Sequence, residues 1–182
     1  MTRKPVVILA VMMVAAMTGC SPDGRETPSP QPVASTPTPT PSPQWTTEEQ
    51  GAIDAVQKYL EVWTNISQNL GTADWNQIRD VASDPAASDA VTVWTQWNQN
   101  GWHLVGGPVF TPDYVNLGGL DGLGQRIHIH GCFSISEGYL FDSDGNRIED
   151  RGVERGTTNY LVLLQGNGQY VVLEDNPEDN PC

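Results

Sequence analysis

Two histidines stand two residues apart in the segment Arg126 to Ser136, at positions 128 and 130. Side chains alternate between the faces of an extended strand, so His128 and His130 point the same way. A pair of imidazoles on one face is the minimum from which a metal site or an acid/base pair is built, and His128 and His130 are the metal candidates of this chain. No third ligand stands near them in sequence and His103 lies on another element. A solvated strand face therefore accounts for them better, and neither a metal nor another cofactor is expected. Asp142, Asp144 and Asn146 around Gly145 have the oxygen-rich look of a calcium loop. An EF-hand, however, needs its glycine at the sixth position and a Glu at the twelfth; here Gly145 is fourth, and a hairpin turn explains the residues. Tyr59, Trp63, Trp94, Trp97 and Tyr160 are the side chains to examine for a pocket, because Tyr and Trp join a large apolar area to one polar tip. The chain has 6 tryptophans, and rings of that size also fill a wide gap between helix and sheet. No GxSxG, HExxH, Walker or dinucleotide fingerprint occurs, and no catalytic residue is assigned.

The three cysteines have a chemistry that depends on compartment. Arg3 and Lys4 precede an apolar run from Val6 to Met17, too short to span a bilayer and followed by small residues, which is the anatomy of a secretion signal over residues 1–19. The run closes on Met17, Thr18, Gly19 and Cys20. This resembles the lipobox of bacterial lipoproteins, with Met17 where Leu is usual. The resemblance implies cleavage before Cys20 and at least a diacylglyceryl group on its thiol, and two acyl chains, at about 0.8 kcal/mol per buried methylene, hold a protein stably to a membrane. The expected location is the extracytoplasmic face of the cell membrane. Cys132 and Cys182 are then the only thiols left, and an even pair in an exported chain reads as one disulfide, worth at most about 4 kcal/mol in the chain-entropy model. A zinc site shared with the histidines competes poorly in an oxidising compartment.

Eight of the chain's 14 prolines fall between Ser21 and Gln44, with Ser and Thr between them and almost no large apolar side chain. Such a segment cannot bury enough surface to fold, so residues 20–44 are read as the lipidated Cys20 and a disordered spacer, and 45–182 as the folded domain. At about 3.1 Å per residue the spacer could hold the domain up to roughly 75 Å from the membrane. Charge narrows the partners. The chain carries 9 Lys and Arg against 22 Asp and Glu, a formal net charge of −13, and losing Arg3 and Lys4 with the signal deepens it by two. Such a surface repels phosphate backbones and anionic headgroups, which excludes nucleic acid and electrostatic membrane docking. What remains is the membrane through the lipid anchor, an envelope protein, or a small apolar ligand.

The elements follow from periodicity. Thr46 with Glu49 three residues on is a capping box, and Ala52, Ile53, Val56, Tyr59, Leu60, Trp63 and Ile66 recur at helical spacing, which predicts a helix over about 47–67. Trp75, Ile78, Val81 and Ala82 suggest a second, shorter helix. A third begins at Asp84-Pro85, with the proline at its first position, and carries Ala87, Ala90, Val91, Trp94 and Trp97 on one face until Asn100-Gly101. The period then changes to two over 103–117, 125–136, 156–165 and 169–175. On the strand 125–136 the apolar set Ile127, Ile129, Phe133 and Ile135 faces the helix, and His128, His130 and Cys132 face outward. The disulfide would then draw the acidic tail, Glu174, Asp175, Glu178 and Asp179, toward the imidazoles. Helices first and an antiparallel sheet second is an α+β domain.

With its opening EEQGAIDAVQKYLEVW, its GWHLVGG break, the strand IHIHGCFSIS, the turn FDSDGN and a second Cys at position 182, this order resembles the cone-shaped nuclear-transport-factor-2-like superfamily. There a curved antiparallel sheet wraps a long N-terminal helix, and small secreted lipoproteins of high-GC Gram-positive bacteria with such SnoaL-like domains are similar. The superfamily mixes isomerases, dehydratases and polyketide cyclases with domains that only bind or assemble, so the likeness leaves function open. Its enzymes work with an Asp, His or Tyr inside the cone. The inward positions assignable here are apolar apart from Tyr59 and Tyr160. That favours a non-catalytic binding or assembly domain over a small-molecule pocket binder or a lyase or isomerase of the SnoaL type.

Overall fold

The computed structural model of the chain describes residues 44–135, 138–148, 155–178 and 180–182, with Asp121 described through its backbone only. The signal segment, Cys20, the Pro-rich spacer and Asp179 lie outside these residues.

The first helix, α1, spans Thr47–Gln68. Its capping box is formed in both directions: Glu49 N donates to Thr46 Oγ1 at 3.3 Å, and Thr46 N donates to Glu49 Oε2 at 2.7 Å. Two orphan amides of the first turn are thereby satisfied. The buried face is Ala52, Ile53, Val56, Tyr59, Leu60 and Ile66, the stripe expected from the spacing. Gly51 interrupts a helix interior at a cost of about 1 kcal/mol relative to Ala. Its bare backbone is used, because a Cβ there would meet the Tyr170 ring at 2.7 Å.

The second helical segment is a six-residue 3-10 turn, Trp75–Asp80, capped by Asp74 Oδ1 accepting from Asn76 N at 3.0 Å. The next helix, α2, runs Ala86–Gln99, and Pro85 is its N-cap rather than its first helical residue. The tryptophans of these elements meet one another. Trp94 is fully buried and donates its Nε1 proton to the buried Ser67 Oγ at 2.8 Å, with Trp63 and Trp75 rings 6.4 and 6.0 Å from its own.

Strands β1 (His103–Val105), β2 (Val109–Asp121), β3 (Gly124–Ser134), β4 (Tyr139–Phe141), β5 (Arg155–Gln165) and β6 (Tyr170–Pro177) follow. A four-stranded antiparallel sheet has the order β2-β3-β5-β6, and β1 pairs with β4 in a separate ribbon. β4 has no counterpart in the sequence reading, which assigned this region only its turn. That turn is built by Asp142, whose Oδ1 accepts from Asp144 N at 2.9 Å and Asn146 N at 2.8 Å, with Gly145 at φ 80. Bonding to Asn146 in the first place holds the Asp142 carboxyl below the usual carboxylate range, so its oxygens serve the turn itself.

The inner face of the sheet packs on α1 through Ile127, Ile129, Tyr160, Val162 and Val172, all 3% exposed or less. Three register shifts bend the sheet, two in β2 and one in β6 opposite Leu161 and Val162. The segment before α2 bonds to the β6 edge at Val172: Ser83 N donates to Val172 O at 2.9 Å and Val172 N donates to Val81 O at 3.0 Å. The result is an α+β domain with helices packed in a curved antiparallel sheet.

Cys132 and Cys182 are bonded, with Cα atoms 5.8 Å apart and a sequence separation of 50. The tail reaches Cys132 by running beside β5, where Asn180 O accepts from Thr157 N at 2.8 Å and Glu178 N donates to Thr157 O at 2.9 Å. Closing a loop of this size restricts the unfolded chain by up to about 4 kcal/mol. The Cys182→Ser variant is therefore expected to lose roughly 2 to 4 kcal/mol in urea unfolding, with an added deficit only if the tail detaches. Equal stability of wild type and variant would show that the bond does not constrain folding.

Candidate functional site

Tyr59 on α1 and Tyr160 on β5 lie edge to face with ring centroids 6.3 Å apart, both buried. Between their hydroxyls sits a carboxylate, Asp175 of β6, directly across the ladder from Tyr160. Tyr59 Oη donates to Asp175 Oδ2 at 3.4 Å and Thr158 Oγ1 donates to Oδ1 at 3.4 Å. Tyr160 stands beside the same carboxyl, directly across the ladder from it. Phe110 closes the group from β2, its ring 5.1 Å from that of Tyr160 and nearly perpendicular to it. Gly131 permits this, because a Cβ there would stand 2.6 Å from the Phe110 ring.

Burial dominates the electrostatics. Loss of water pushes the Asp175 carboxyl up to about 6, although bonds from Thr158, Tyr59 and Tyr160 pull the other way. Burial first, and the neighbouring Asp175 charge second, raise both tyrosine hydroxyls above their ordinary range. A lifted carboxyl beside two phenols is the material of general acid/base chemistry. Here the donors are turned onto the carboxylate itself, and Phe110, Tyr59 and Tyr160 occupy the space around it.

Sequence alternation placed Asp175 with the tail carboxylates beside the histidines. The structure corrects this: Leu161 pairs with Glu174 while Val162 pairs with Val172, so Leu173 is an extra residue and every later side chain of β6 changes face. Asp175 turns inward, and Thr158 joins it from β5. The one available hint was a pair of acidic residues, Glu174 and Asp175, following the Val171-Val172-Leu173 run without a break.

On the outer face His128 is exposed and His130 half-buried. The His130 ring stacks on Tyr114 at 4.9 Å, and its Nδ1 is 3.5 Å from Asp113 Oδ2. Glu178, brought here by the disulfide, accepts from Asn159 Nδ2 at 2.6 Å, Asn180 Nδ2 at 2.9 Å and Thr157 Oγ1 at 3.1 Å. The bond from Asn180 is the main cause that lowers its carboxyl below the usual range, and His130 adds to it. Among the described residues no three His, Cys, Asp or Glu side chains converge as a metal site would require.

The other pocket candidates divide. Trp63, Trp94 and Trp97 pack with one another, Trp63 and Trp97 at 5.6 Å. They line no part of the open groove of about 630 Å³ between α1 and Gly107–Phe110, whose walls include Leu60, Glu61, Thr64, Gln68, Val109 and Phe110.

Asp175 has a stability signature. The folded chain holds this proton more tightly than the unfolded one, where the pKa is about 3.9, so its contribution is complete below that value and is lost as pH rises through about 6. At about 1.4 kcal/mol per unit the loss is roughly 3 kcal/mol. Wild type and Asp175→Asn should thus be equally stable near pH 4, and the variant more stable by up to roughly 3 kcal/mol at pH 8. Denaturant unfolding across that range reads the difference; a wild type that gains on the variant as pH rises would mean that the carboxylate is stabilised by its bonds more than burial costs it.

No family model and no curated protein matches the chain. Solved structures do. The chain is similar to the intermembrane space region of chloroplast protein ARC6, with a TM-score of 0.53 and 16% identity over 74% of this chain and 98% of that one. It is also matched, at a TM-score of 0.38 and 12% identity over 74% of this chain and 96% of the other, by a protein from Novosphingobium aromaticivorans described as an aromatic ring hydroxylase, a likeness too low to carry an argument. The first similarity is one of fold alone: an α+β domain whose helices pack in a curved antiparallel sheet.

Proposed function

We propose that the chain is a lipoprotein tethered through Cys20 to the extracytoplasmic face of the cell membrane, whose SnoaL-like domain binds or assembles through its outer surface. In this reading it is akin to the small secreted lipoproteins of high-GC Gram-positive bacteria. The observation that supports the non-catalytic part is the packing around Asp175: Tyr59, Phe110 and Tyr160 are each at most 7% exposed and lie ring against ring there. The anchor rests on the Met17 to Cys20 motif, and the acidic surface supports a role away from nucleic acid and anionic lipid.

One observation favours a second reading. The Asp175, Tyr59 and Tyr160 cluster has the residue types of a lyase or isomerase of the superfamily. A thermal-shift panel of apolar small molecules separates the two, since a ligand of the folded state raises Tm in proportion to RT ln(1 + [L]/Kd). No shift is expected. A shift that Asp175→Asn abolishes would favour the enzymatic reading, and one that it leaves intact would favour a carrier.

The anchor is tested separately. Wild type is expected in the membrane fraction and Cys20→Ser in the soluble extracytoplasmic fraction. A Cys20→Ser chain that sediments with membranes while its domain is intact would place the attachment elsewhere.

A further inference from the structure

Every large apolar side chain that stands exposed among the described residues lies in one stretch of 19 positions: Val105, Val109, Tyr114, Leu117, Leu120 and Leu123. Four of the six are on β2, which forms an edge of the main sheet. The two edges differ. At β6 the chain's own backbone bonds to Val172 through Val81 and Ser83, whereas no strand of the sheet lies beyond β2. Edge strands of soluble proteins are commonly guarded by lysine, by other charges, by proline or by bulges. β2 has Pro112 and two register shifts, after Pro112 and after Leu117, but no lysine, arginine or glutamate. Between the shifts, Tyr114, Val115, Asn116 and Leu117 run in regular register, and beyond them the hairpin tip exposes Leu120 at 83% and Leu123 at 68%.

We propose that β2 is an assembly edge and that its partner is a second copy of this chain, paired antiparallel across a twofold axis. This deepens the assembly reading above and rests on it. Charge selects the partner. Two chains of formal charge −13 repel each other over most of their surfaces, and a basic partner would be drawn to the acidic helices and turns. From His103 to Gly124 the only carboxylates are Asp113 and Asp121, so this is where two copies approach with least repulsion. Register keeps even these apart: setting Tyr114 against the partner's Leu117 sets Asp113 against the partner's Gly118. Closure follows from the twofold axis: a β2–β2 contact uses the same edge of both copies, so pairing stops at two and does not propagate into a fibre. A strand of 13 residues is about 43 Å long at 3.3 Å per residue, enough to carry the roughly 800 Å² per partner of a stable interface.

The test is sedimentation velocity of the full mature chain in detergent, over a range of concentrations and at two ionic strengths. A concentration-dependent dimer is expected, and added salt should tighten it by screening the like charges that oppose it. Leu120→Lys, at a position with almost nothing to lose on folding, and Leu117→Lys should each weaken dimerisation tenfold or more while leaving Tm within a few degrees; Glu61→Lys on α1 should leave the dimer intact. A chain that is monomeric at every concentration, or a dimer indifferent to both leucine variants, would overturn the proposal. A monomer that still partitions with membranes through Cys20 and stays unresponsive to the small-molecule panel would do so without touching the functional reading on which it rests.

Discussion

The domain turns on the backbone of Val172. Its carbonyl and amide are bonded outward to Ser83 and Val81, while its side chain is fully buried opposite Val162. One residue thus ties the segment before α2 to the outer side of β6. The extra residue Leu173 follows immediately, and the strand resumes with its faces exchanged. Without that shift Glu174 would point at α1 and Asp175 at solvent; with it, a carboxyl enters the tyrosine cluster.

That carboxyl is the conflict at the centre of the fold. Desolvation raises its proton affinity while three hydroxyl donors lower it, and burial wins. The cluster is satisfied by its own members, which is how a polar group is tolerated among Ile129, Phe110 and the two tyrosines. Here rings close the space, Phe110 reaching across β3 because position 131 has no side chain to stop it. On the outside of the domain, acidic helices contrast with the exposed apolar side chains of β2.

Much was legible from sequence alone because it depends on local physics. The capping box of Thr46 and Glu49, the apolar stripe of α1, and the alternation that turns Ile127 and Ile129 inward and His128 outward each follow from the periods of helix and strand, and each is present. So did the α+β order of elements. The Met17 to Cys20 motif and the proline-rich spacer are likewise matters of sequence, outside the described residues.

Tertiary structure decided what depends on register and on the meeting of distant segments. Strand alternation carries no sign of an inserted residue, so the bulge at Leu173, and with it the inward turn of Asp175, arises only when β6 pairs with β5 and bonds to the segment before α2. β4 is three residues long and exists because β1 lies beside it, a pairing no local propensity specifies. The tryptophans announced themselves as large rings, but that they pack on one another was settled by the meeting of α1, the 3-10 turn and α2, with Trp94 buried on Ser67. Where the chain bonds to the edge of its own sheet, at Val172 of β6, was decided in the same way, by where the segment before α2 came to rest.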